Sequence, residues 1–119
     1  MSITIYNSLS RTKVPFESLK PGEIKMYVCG PTVYDEPHIG HARSAYNFDV
    51  VRRYLVYRGL AVTFVRNVTD VDDKIINKAK EAISLQPSAI SLEEAPREIS
   101  KKYLDAYHRD MERLGIGMP

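Results

Sequence analysis

The chain has one cysteine, Cys29, in 119 residues, so no disulfide can close within it, which suits a reducing compartment. No apolar run approaches the roughly 20 residues that cross a bilayer, and the opening MSITIYNSLSR lacks the basic-then-apolar order of a secretory signal. A cytoplasmic location is the expectation. Neither charge is in excess: 17 Lys and Arg against 15 Asp and Glu give +2, too balanced to mark a nucleic-acid groove. There is no internal repeat and no low-complexity segment. What is present is ordinary for one globular domain, with 44% hydrophobic residues.

Residues 1–22 read as a lead-in: a short strand over Ile3–Tyr6, then a loop-rich stretch containing Pro15, Pro21 and Gly22. Residues 23–84 read as a βαβα nucleotide-binding core. Ile24–Cys29 forms a buried strand, ended by Gly30 and Pro31. From Ile39 the apolar residues Ala42, Tyr46, Val50 and Tyr54, joined by Phe48, Val51 and Leu55, recur at helical spacing and predict a broad buried face. Arg43, Asn47, Arg52 and Arg53 fill the other side, and Gly59 suits the helix end. Ala61–Val68 reads as a second buried strand, parallel to the first because a helix separates them. A helix opening around Thr69–Asp73 and running to about Ser84 follows. Asp70 or Asp72 can cap it; the alternative is that the three aspartates hold Mg2+. A connector over 85–90 contains Pro87. Ser91 to Glu94 forms a capping box for a packing helix over 91–115, with Ile99, Tyr103, Ala106 or Tyr107, Asp110 and Leu114 on one side. His108 is expected to face solvent, and the tail Gly117-Met118-Pro119 carries no signal. The fold class is α/β, the first half of a Rossmann-like (HUP-type) parallel sheet with flanking helices.

The chemistry concentrates in MYVCGPTVYDEPHIGHARSAYN, residues 26–47. His38 and His41 are three apart in the first turn of a helix, so they share a face. Unpaired N–H groups and the helix dipole there favour an anion such as phosphate, and Gly40 between them lets a ligand approach the backbone. In parallel α/β sheets ligands sit outside the carboxyl ends of the strands, here Cys29-Gly30 and Asn67-Val68-Thr69.

PHIGH after YVCGPTVYD resembles the HIGH signature of class I aminoacyl-tRNA synthetases, in the version of the cysteinyl-tRNA synthetase family. RNVTDVDDKI, about one βα unit later, is similar too, and the likeness runs from Ile5 to Ile116. The resemblance implies that the carboxylate of L-cysteine attacks the α-phosphate of Mg-ATP, giving cysteinyl-adenylate and pyrophosphate, before transfer to tRNA(Cys). It makes His38 and His41 the catalytic residues. It places Gly30, Thr32, His38, Gly40, His41, Ser44, Asn67 and Thr69 around ATP and the adenylate. Cys29 matches the family's first ligand to Zn2+, which would bind the substrate thiolate. A rival local zinc site would join Cys29 to His38 and His41. By the same resemblance the remaining zinc ligands, the lysine-rich KMSKS loop and the anticodon-binding domain are expected outside these 119 residues. Two further readings stay open: the related ligase that joins cysteine to an amino-sugar inositol in making mycothiol, and an inactive nucleotide-binding fragment.

Overall fold

The computed structural model describes residues 3–85, 91 and 94–119. The expected connector through Pro87, and Leu92 and Glu93 of the expected capping box, lie outside the described residues.

The core of the arrangement is a parallel pair, β3 (Glu23–Val28) and β4 (Ala61–Arg66), joined by the helix α1 (Ile39–Tyr57). The register sets Ile24 against Val62, Met26 against Phe64 and Val28 against Arg66. The expected pairing therefore holds, with β4 ending two residues early. The expectation that both strands are buried does not hold. Ile24 and Val28 are buried, but their alternates Lys25 and Tyr27, and Val65 on β4, stand exposed, Tyr27 by 63%. Helices cover one face of this two-stranded sheet, so the period of two shows as alternation.

Residues 1–22 hold more structure than a lead-in. β1 (Thr4–Asn7) and β2 (Thr12–Pro15) pair antiparallel into a hairpin, with Arg11 in the left-handed region at φ 55. Thr12–Pro15 is short, exposed and closed by proline, so it carries no apolar pattern from which to predict a strand.

α1 ends as expected: Arg58 caps it and Gly59 turns the chain at φ +80. Its buried side keeps only Ala42 and Leu55 of the expected face. Ala42, Ala45, Asp49 and Leu55 are inside, while Ile39, Tyr46, Phe48, Val50, Val51 and Tyr54 are exposed. Ala42 and Ala45 are small enough for Tyr107, Met111 and Ile116 to close over them, and these five form one buried cluster.

α2 (Asp73–Leu85) starts where Asp72 Oδ1 accepts the N–H of Lys74 at 2.9 Å, so the aspartate run acts as a cap. α3 (Ala95–Arg113) is preceded by Ser91, whose Oγ accepts the Glu94 N–H at 3.3 Å and donates to the Glu94 carboxylate at 2.9 Å. The reciprocal bond of a capping box, from the glutamate back to the N-cap backbone, is replaced by this side-chain pair. α3 packs mainly on α2, with Tyr103, Ala106, Tyr107 and Met111 buried and Tyr107 and Met111 reaching Ala42 and Ala45 of α1; Leu114, expected on that face, is exposed. The tail has a place too. Arg52 Nη1 donates to the Met118 carbonyl and Arg53 Nη2 to that of Gly115, both at 2.8 Å, and both guanidiniums also grip buried Asp49 at 2.8 and 2.7 Å.

Candidate active site

Beyond the last ladder positions the two strands stay together. Thr69 N–H donates to the Pro31 carbonyl at 3.0 Å and Val33 N–H to that of Thr69 at 3.2 Å, pairing Thr32 with Thr69. Gly30 N–H donates to Asn67 Oδ1 at 2.8 Å. A Cβ on Gly30 would fall 1.7 Å from the Asn67 carbonyl oxygen, so only glycine allows this approach. Asn67, expected at the ligand, thus ties the two strand ends.

The helix start lies against these ends. His38 is the N-cap of α1, and its Nδ1 accepts the Gly40 N–H at 3.1 Å; His41 Nδ1 accepts the His38 N–H at 3.2 Å. The imidazoles thus form a reciprocal box in which histidines replace the usual serine and glutamate. Their centroids are 4.0 Å apart. Because each Nδ1 is an acceptor, a neutral ring carries its proton on Nε2, and each histidine presents one N–H outward. Burial, and then the nearby His38, lower the His41 pKa from its ordinary value, which favours that neutral form.

Two details of the expected anion site change. Three of the first-turn donors are taken: Gly40 N–H by the His38 ring, and those of His41 and Ala42 by the His38 carbonyl. A Cβ on Gly40 would lie 2.8 Å from His38 Cε1, so the room at Gly40 is used by that imidazole. An anion would meet the Nε2–H groups, with the helix dipole behind them.

Cys29, Gly30, Gly40, His41 and Ser44 line one cleft, open to solvent, with Arg66 and Tyr107 among its walls. Thr32 and Thr69 stand beside it, and His38 turns to a neighbouring hollow with Pro37, Asp110 and Met111. Arg66 and Tyr107 were not among the sequence candidates. The signal for Arg66 was its place, a charge closing the apolar run AVTFV at a strand end; Tyr107 reads simply as a core residue. His108, expected outside, is half-buried with its ring 6.0 Å from that of Tyr107.

Cys29 is exposed, so it is not the core residue a lone cysteine beside a strand suggests. Among the described residues no group of three His, Cys, Asp or Glu side chains could hold a metal ion. Neither Cys29 with the two histidines nor the three aspartates makes such a set. The residues present supply one soft ligand, which does not fit a tetrahedral zinc site.

Residues 15–119 match the family model described as tRNA synthetases class I (C) catalytic domain. Proteins named Cysteine--tRNA ligase are similar along nearly the whole chain. That of Staphylococcus epidermidis is 51% identical over 114 residues, 96% of this chain and 22% of the relative. The Trichormus variabilis protein is 47% identical over 116 residues, 98% of this chain and 22% of the relative. That of Lacticaseibacillus casei is 52% identical over 114 residues, again 96% and 22%. The chain spans about a fifth of the length of these relatives. With a histidine-capped helix set at the ends of two parallel strands, and a family match that takes in all of these elements, the chain belongs to the class I tRNA synthetase (C) catalytic domain family.

Proposed function

We propose that the polypeptide carrying this segment activates L-cysteine with Mg-ATP to cysteinyl-adenylate and transfers the cysteinyl group to tRNA(Cys), and that the cleft holds part of the adenylate site. The observation that carries this is the fixed pair of Nε2–H donors at the start of α1, with His41 lining the cleft that Cys29 also lines. Attack of a carboxylate on the α-phosphate needs positioning and charge stabilisation more than a protein nucleophile. His38 and His41 would donate to phosphate oxygens, the helix dipole adding partial positive charge. Ser44 would offer a hydroxyl from the next turn, while Gly30, Thr32, Gly40, Asn67 and Thr69 shape the cleft and hold its strand ends.

Zinc, when bound, would give the substrate thiolate a soft partner, and Cys29 is the residue here that would contribute to it. No step is derived through it, since one thiolate does not make the site. The shared name of the relatives favours tRNA charging over the mycothiol ligase.

The test is cysteine-dependent exchange of pyrophosphate into ATP by a full-length ligase carrying this segment. His41→Ala should lower the rate by about 10²-fold or more, as loss of one preorganised donor does elsewhere. An unchanged rate would remove His41 from the reaction.

A further inference from the structure

Arg66 closes β4 on the covered face of the sheet, across from Val28. Its Nη1 donates to the Tyr107 hydroxyl at 2.8 Å, and its Cζ lies 5.8 Å from the centre of the Phe64 ring. The other edge of the guanidinium differs. Nε and Nη2 are buried and have no hydrogen-bond partner among the described residues, and no carboxylate there pairs with Arg66.

Arginine stays charged in proteins, and its planar fork of N–H groups takes two oxygens of a carboxylate or phosphate at once. Burying such an edge unpaired is unfavourable, because the donors have left water and gained nothing in return. The surroundings indicate the partner. Arg66 lines the same cleft as Cys29, His41 and Ser44, and among the described residues no carboxylate lines it. Gly30 lies directly over the side chain, an added Cβ falling 3.0 Å from Arg66 Cγ. Among the described residues nothing supplies the counter-charge, and an anion entering the cleft would bring one.

We propose that Arg66 is an anion anchor of this cleft: its Nε–Nη2 edge takes an oxyanion of the bound ligand while Tyr107 holds the opposite edge. Both nitrogens are covered here, so the side chain turns toward the cleft as the anion enters. The source of the oxyanion rests on the adenylate reading above, which offers the α-carboxylate of cysteine or the α-phosphate of the nucleotide.

The test follows the guanidinium nitrogen resonances of the 119-residue chain during titration with AMP, adenosine, L-cysteine, cysteamine and inorganic phosphate. Arg66→Lys assigns the signal. The Arg66 Nε resonance should move saturably with AMP or L-cysteine and stay still with adenosine and cysteamine, which lack the oxyanion. Arg66→Lys keeps the charge but loses the fork, and should weaken the responding ligand by about 10-fold or more at an unchanged melting temperature. Movement with AMP alone assigns the phosphate, and with cysteine alone the carboxylate. Movement with inorganic phosphate alone supports the anchor and removes the adenylate reading. AMP or cysteine shifting the His41 signals while Arg66 stays still would overturn the anchor and leave that reading standing. No response to any of the three anions overturns the anchor as well. Should Arg66→Lys fail to fold, the through-space contact of the Arg66 guanidinium with the Tyr107 ring assigns the signal, and the titration of the unmutated chain decides.

Discussion

The two histidines at the start of α1 each accept a backbone N–H at Nδ1, which leaves Nε2 as the donor of a neutral ring. His41 is the more constrained, since burial and then the His38 charge disfavour its protonated form. Its titration by NMR should have a midpoint below the ordinary value of about 6.5. His38→Ala should raise that midpoint only part of the way, because burial is the larger cause and remains. A midpoint at or above the ordinary value would contradict the geometry. The sign for stability follows. The folded chain holds this proton less tightly than the unfolded chain, so His41 lowers stability as pH falls through its ordinary value. Above that value both states are neutral there and the contribution disappears.

At the scale of elements, the strand ends and the α1 anchor can be tested separately. Gly30→Ala places a Cβ where the Asn67 carbonyl already is, and must push β3 and β4 apart at the cleft. Thermal melting should show a loss of about 1–3 kcal/mol or more, as overpacking at a site that cannot yield does. Asn67→Ala, which removes only the acceptor for Gly30 N–H, should cost about 1 kcal/mol. Equal losses would mean that the close approach is not tight. Asp49 joins α1 to the chain end, since both arginines that grip it also hold carbonyls of residues 115 and 118. Only 5% exposed, it cannot be removed without leaving Arg52 half-buried and unpaired on that side. Asp49→Ala should cost about 1.5–3 kcal/mol, the range for hydrogen bonds to charged groups. Urea unfolding checks this, with an unchanged midpoint as the contrary result.

As a whole the molecule is extended, 62 × 31 × 24 Å, with a radius of gyration of 18.5 Å. A compact domain of this length would have about 13–14 Å. The hairpin makes a sheet separate from β3–β4, and Tyr27 and Val65 stand exposed and side by side on the outer face of the parallel pair. Such a face, with an open strand edge beside it, favours association. Sedimentation of the 119-residue chain should show concentration-dependent self-association that Tyr27→Lys with Val65→Thr reduces; a strict monomer at high concentration would show that this face is inert. Among the described residues no helix is long and apolar enough to cross a membrane, so these apolar surfaces do not add up to a span. The 119-residue chain by itself is expected to show no cysteine-dependent pyrophosphate exchange at a ligase-like rate. Robust exchange, lost in His41→Ala, would show that the cleft as described is sufficient.

Local chemistry settles much of this. HIGH after a proline, glycine after an apolar run, and aspartates before a helix are cues within a few residues, and they placed the α1 start, the β3 end and the α2 cap. The parallel pairing followed from the helix between the two strands, since strands joined through a helix seldom pair otherwise. What the sequence left open depends on distant partners. α1 has apolar residues on nearly every side, so periodicity cannot say which side is buried; Tyr107 and Met111, about 65 residues on, choose Ala42 and Ala45. Of the N–H groups expected for an anion, that of Gly40 is taken by an imidazole and those of His41 and Ala42 by the His38 carbonyl, a matter of local geometry that spacing does not reveal. Arg66 reads as one charge among 17 until the fold sets its fork beneath Gly30 and beside Tyr107, with no carboxylate partner among the described residues. That isolation is a property of three dimensions, because it depends on which groups fail to meet as much as on which do.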